Sequence, residues 1–148
     1  MADTQEEINP TVVERYREMI ETLVRDGEGA LPLLRELYHE QVQFEDPLQS
    51  VSGIDALVDA NRRLLKRARS LSISFGSMSE QDGSMFAVWT LTLEPPVGPV
   101  MTIEGATHAT VRDGYVVHQR DYWDLLSSAA EALPGLGMIY RRLVSLFT

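Results

Sequence analysis

Residues 37–47 read LYHEQVQFEDP, and the alternation inside this stretch decides what kind of fold follows. Side chains of an extended strand point to opposite faces in turn, so Val42, Phe44 and Asp46 share one side while Gln43 and Glu45 take the other. A carboxylate thus follows two apolar residues inward. Because Asp46 precedes Pro47, two readings stand open. It is a turn carboxylate that caps a nearby amide, or an ionisable group held against an apolar wall.

Upstream the period is helical. Asn9-Pro10 reads as cap and first helical residue, and Val12, Val13, Tyr16, Met19, Ile20, Leu23 and Val24 form one stripe that Asp26-Gly27 stops. A short helix from Pro32 buries Leu33, Leu34, Leu37 and Tyr38. Downstream, Ser52-Gly53-Ile54-Asp55 reads as a capping box opening a third helix, whose apolar face carries Asn61 as its polar intruder. From residue 70 the period becomes two. Leu71, Ile73 and Phe75 are followed by a Gln81-Asp82-Gly83 turn and by Ala87, Trp89, Leu91 and Leu93. Met101, Ile103, Gly105, Thr107, Ala109 and Val111 then share a face, and after the Arg112-Asp113-Gly114 turn so do Tyr115, Val117, Gln119, Asp121 and Trp123. Asp121 is a second carboxylate on a partly apolar face. The tail from Leu125 is helical, with a break at Pro134-Gly135. The expected fold class is α+β: a cone-shaped, curved antiparallel sheet, N-terminal helices over its concave face, and a helical tail over 125–148. All of it forms one domain spanning 1–148.

The 148 residues carry a formal net charge of -9, so the basic footprint that nucleic acid selects is missing. There is no cysteine, and the acidic start MADTQEEINP is unlike a secretory signal; cytoplasmic is the simplest location. No run of about 20 apolar residues spans a membrane. His39, His108 and His118 form no metal-ligand pair at helical spacing, so no metal or other cofactor is expected.

The order of elements and several short motifs resemble the nuclear transport factor 2-like superfamily, in its SnoaL-like and ketosteroid-isomerase-like branch. VVERY at 12–16, LYHEQVQFEDP at 37–47 and Ser52-Gly53 resemble the isomerase's first helix, base strand and third-helix start, whereas RDYWD at 120–124 resembles the last strand of SnoaL-like proteins and limonene-epoxide hydrolases. The resemblance implies Asp46 as general base and Tyr16 as donor to an oxyanion. Thr107 stands where the isomerase's second oxyanion acid belongs, and Asn61 where a supporting tyrosine does. An Asp base beside a tyrosine-containing oxyanion hole is the general pattern of ketosteroid isomerase. The epoxide-hydrolase comparison fits less well: Asp121 matches one of its carboxylates, but SMFAVWTLTL at 84–93 has no charge where an arginine and a second aspartate belong.

Each residue also has a bland reading: Tyr16 as a core aromatic, Asp121 as the partner of Arg120 or of a tail arginine. If Asp46 and Asp121 line one cavity, repulsion splits them into an acid and a base. Phe44, Trp89, Trp123, Tyr38 and Met101 read as wall and core around an apolar ligand, with Thr107 and Asn61 as lesser donors. The expectation is a small cofactor-free enzyme, isomerase or cyclase in type, that moves a proton on a lipophilic carbonyl compound, steroid-like or polyketide-like. Its catalytic residues would be Asp46, Tyr16 and Asp121. The other reading is a non-catalytic domain that binds a hydrophobic ligand or another protein. A homodimer is expected in either case.

Overall fold

The structure is a computed structural model that describes residues 9–133 and 135–146; Pro134, part of the expected break in the tail, lies outside them. Helix α1 (Val12–Asp26) starts two residues later than the Asn9-Pro10 reading placed it, because Thr11 is the stronger cap. Its hydroxyl accepts the Glu14 amide at 3.3 Å while the Glu14 carboxylate accepts the Thr11 amide at 2.8 Å. Thr11→Ala is expected to cost about 1 kcal/mol, read from a denaturant melt. The helix ends as expected at Gly27, whose φ of 69° a residue with a Cβ adopts only under strain. Its buried stripe is Val12, Tyr16, Met19 and Leu23.

A 3-10 segment (Gly27–Leu33) and one turn of helix, α2 (Leu34–Leu37), lead into β1 (Tyr38–Glu45). A three-residue strand, β2 (Ser50–Ser52), pairs with β1 and precedes α3 (Ile54–Arg67). The expected capping box is absent: Gly53 is the N-cap, and the Ser52 hydroxyl instead donates to Gln43 Oε1 at 2.7 Å. Then come β3 (Ser70–Gln81), β4 (Ser84–Glu94), β5 (Met101–Arg112) and β6 (Tyr115–Trp123), followed by α4 (Leu125–Ala132) and α5 (Leu136–Val144). The hairpin turns put Asp82 and Asp113 at φ of 52° and 51°, each followed by a glycine at positive φ, which is the turn that matches strand twist.

The six strands form one curved sheet in the order β2-β1-β6-β5-β4-β3. All neighbours are antiparallel except β1 and β6, which run parallel because the whole of β2 to β5 intervenes between them in the chain. The helices α1 and α3 cover one face. Between that face and the helices lies the core, with Val42, Met85, Ala109 and Val116 fully buried. Among the described residues no helix is long and apolar enough to cross a membrane.

The alternation expected along β6 holds only in its second half. Thr110 pairs with His118 but Val111 pairs with Val116, so Val117 is an extra, bulged residue. Upstream of it the parity inverts: Val116 is buried, whereas Tyr115 and Val117, expected inside, are not. Gln119, Asp121 and Trp123 keep the inward side.

Candidate functional site

Directly opposed residues of neighbouring strands share a face, so the register builds the floor of the site in rows. Ala87, Thr107 and Asp121 form one row across β4, β5 and β6, and Met85, Ala109, Gln119 and Phe44 form the next. Asp46 follows β1 one step beyond Glu45, and Pro47 ends the strand there. Between this floor and α1 and α3 opens a cavity of about 360 Å³. Asp46, Tyr16, Asp121, Asn61, Phe44, Trp89, Trp123, Tyr38 and Met101 all line it. Thr107 does not; it is buried beside Asp121 in its row. Asp46, Leu48, Gln49, Asp121 and Trp123 also line a more open recess of about 830 Å³, so the cavity continues outward past the loop after β1.

Thr107 is the hub, not the lesser donor that the sequence suggested. Its hydroxyl donates to Asp121 Oδ1 at 2.7 Å, receives the Trp89 indole N–H at 2.9 Å, and lies 3.2 Å from the Tyr16 hydroxyl. A hydroxyl has one proton and two lone pairs. With its proton given to Asp121 and one lone pair taken by Trp89, the second lone pair accepts from Tyr16. The Tyr16 proton is thus committed to Thr107, and Tyr16 faces the cavity with lone pairs only. That geometry does not supply the oxyanion donor the isomerase resemblance implied.

Asp121 Oδ1 accepts a second bond from Gln119 Nε2 at 2.9 Å, and Gln119 Oε1 in turn accepts the Tyr38 hydroxyl at 2.7 Å. Among the described residues Oδ2 of Asp121 has no protein partner, yet every buried side-chain polar atom has one. Oδ2 is therefore the more accessible oxygen of a side chain that lines both the cavity and the outer recess. Burial pushes the Asp121 carboxyl up to about 6; the bonds from Thr107 and Gln119 pull the other way, and the charge of Asp46 adds to the rise. Burial likewise raises the Tyr16 and Tyr38 phenols, helped in both by the Asp121 charge, so both hydroxyls stay neutral. Arg120 is not the partner of Asp121: it points to the other face, with its guanidinium 5.1 Å from the Tyr122 ring centre.

Asp46 reaches the cavity, but its carboxylate is engaged by its own turn. Oδ1 accepts the Leu48 and Gln49 amides at 2.7 and 3.0 Å, and Oδ2 accepts Gln49 Nε2 at 3.3 Å. Asn61 lines the cavity and spends one amide hydrogen on the Leu57 carbonyl at 2.9 Å. Gln119 was not singled out from the sequence. Its signal was there, two residues before Asp121 and hence on the same strand face. His108 and His118 lie on the opposite face: His108 stacks on Phe86 at 4.7 Å and His118 meets Glu45 at 3.3 Å.

No curated protein sequence matches the chain. Among solved structures it is similar in fold to a protein assigned as a SnoaL-like polyketide cyclase from Jannaschia sp. CCS1. The TM-score is 0.67 at 20% identity, over 84% of this chain and 95% of that one. TsrD from Streptomyces laurentii superposes with a TM-score of 0.70 at 19% identity, over 86% and 98% of the two chains. An LEH-like epoxide hydrolase from M. tuberculosis gives 0.69 at 14% identity, over 88% and 96%. At such identities the likeness shows the fold alone. The sequence profile of the SnoaL-like domain, by contrast, matches residues 13–119, well over half of the chain. The chain belongs to the SnoaL-like family of the nuclear transport factor 2-like superfamily.

Proposed function

We propose that this protein is a cofactor-independent enzyme that moves a proton on a lipophilic carbonyl compound, in an isomerase or cyclase type of reaction, with Asp121 as its acid-base group. One observation carries the reading: a carboxylate that lines an apolar cavity, with Oδ1 held by Thr107 and Gln119 and Oδ2 without a partner among the described residues. With its pKa near 6, Asp121 is mostly ionised at neutral pH yet a stronger base than an ordinary carboxylate. Oδ2 takes the proton from the carbon next to the carbonyl, and the electron pair of that C–H bond moves onto the carbonyl oxygen as an enolate. The neutral carboxyl then donates to the enolate, and returns its proton to carbon or to the oxygen left by ring closure. Asp46 has the lesser part here: it shapes the turn at the mouth and its charge helps raise Asp121. Asn61 would accept from a hydroxyl on the ligand.

The test is exchange in heavy water. Enolisable cyclic ketones and polyketide-like diketones are incubated with the protein and deuterium uptake is followed by mass spectrometry. Uptake should survive in Asp46→Asn and vanish in Asp121→Asn. The reverse pattern would move the chemistry to Asp46. A second reading, a non-catalytic binder of an apolar ligand, is favoured by the commitment of the Tyr16 proton to Thr107, which leaves the enolate no phenol donor. It predicts ligand binding without deuterium uptake by the wild type.

A further inference from the structure

Gly105 is the one residue of its row without a side chain: in the cross-strand register it stands between Trp89 on β4 and Trp123 on β6. Its backbone is extended, since it is absent from the glycines at positive φ, so conformational freedom is not what the position needs. Space is. A Cβ built on Gly105 would fall 2.5 Å from Cζ2 and 2.9 Å from Cζ3 of Trp89, and closer still to Cη2. Carbon atoms in contact normally stand about 3.5–4.0 Å apart. The outer edge of the indole therefore occupies the volume that any other residue's Cβ would fill. With the ring seated there, its N–H reaches Thr107 Oγ1 at 2.9 Å.

We propose that Gly105 is a positioning residue: by seating the Trp89 indole against β5 it keeps one lone pair of Thr107 occupied, and so directs the Thr107 proton onto Asp121. The step is a count of bonds. Trp89 and Tyr16 fill both lone pairs of the Thr107 hydroxyl, and the carboxylate is the only acceptor left for its hydrogen. Were the indole displaced, the hydroxyl could rotate to give its proton to Tyr16 and leave Asp121 with one donor fewer. A glycine covered by a cross-strand aromatic also occurs purely as sheet packing, so the two roles have to be separated. The proposal rests on the acid-base role given to Asp121, but its readout needs no substrate.

The experiment is a carboxyl-carbon NMR titration of Asp121, with thermal melts, in the wild type, Gly105→Ala, Trp89→Phe and the double variant. Asp46, Tyr16 and Tyr38, the other titratable groups facing Asp121, are left unchanged. Gly105→Ala should raise the Asp121 pKa by about 0.5–1 unit, because a bond to the charged form is lost, and should lower the melting temperature. Trp89→Phe should raise the pKa by a similar amount. The double variant should regain most of the melting temperature, since the shorter ring leaves room for the Cβ, while its pKa stays raised. An unchanged pKa in Trp89→Phe overturns the proposal, as does a double variant in which stability and pKa both return to wild type. Trp89→Phe and the double variant keep the test open if Gly105→Ala does not fold. If the pKa shifts appear but no ketone exchanges deuterium, the positioning role stands and the enzymatic reading falls.

Discussion

Asp121→Asn is expected to lose about 10²- to 10⁴-fold in proton transfer and at the same time to make the fold more stable at neutral pH. The two effects have one cause. Asn keeps the shape and an oxygen that accepts from Thr107 and Gln119, but it has neither a basic site nor a charge to desolvate. The carboxyl sits near 6 in the folded chain against an ordinary 3.8, so the native state holds this proton more tightly than the unfolded state does. The stabilising effect of that tighter binding is whole below about pH 4 and is lost as pH rises through about 6. At neutral pH the buried charge then costs the wild type on the order of 1–3 kcal/mol, which Asn avoids. Urea melts at pH 4 and pH 7.5 check this: the variant should gain over the wild type at the higher pH only. An equal difference at both would mean that the charge is not what is being buried. Activity should rise with pH through about 6, as the base form appears.

Thr107→Val should be the most damaging substitution of similar shape in the site. It removes one acceptor from two buried donors, the Trp89 N–H and the Tyr16 hydroxyl, and one donor from Asp121. Each buried polar group left without a partner costs about 1–3 kcal/mol, so a loss of about 2–5 kcal/mol is expected from a denaturant melt. Thr107→Ser, which keeps the hydroxyl, should recover most of it. The Asp121 pKa should climb further in the valine variant, moving the acid limb of any pH-rate profile upward. A valine variant as stable as the serine one would mean that both donors find other partners.

Alternation made the sheet legible in the sequence, because apolar and polar residues trade places along most of β5 and the second half of β4. It also puts Asp46 and Asp121 on inward faces. What it could not give was the division of labour between them. Whether a carboxylate is spent on its own turn, as Asp46 is on Leu48 and Gln49, depends on loop geometry that no periodicity encodes. Thr107 was undervalued for a related reason: an alcohol becomes a hub only through the partners that neighbouring strands and α1 bring to it. The helix starts misread at Asn9 and Ser52 have a local cause, since several cap-forming residues lie within a few positions of each other and only backbone geometry selects among them.

The bulge at Val117 carries a consequence for how such a site can be gained or lost. Counted back from the Asp113-Gly114 turn, an unbroken ladder would set Arg120 opposite Thr107; the one surplus residue sets Asp121 there instead. The sign of the charge presented to the cavity is thus set by whether Val117 stands out of the ladder. Were Val117 drawn into the ladder, nothing in the site would be substituted, yet a guanidinium would replace the acid at its centre; deleting Val117 would instead remove the bulge and leave Asp121 where it is. Related chains could therefore keep every residue of this constellation and still lack its chemistry, separated from it only by how one residue outside the site is paired.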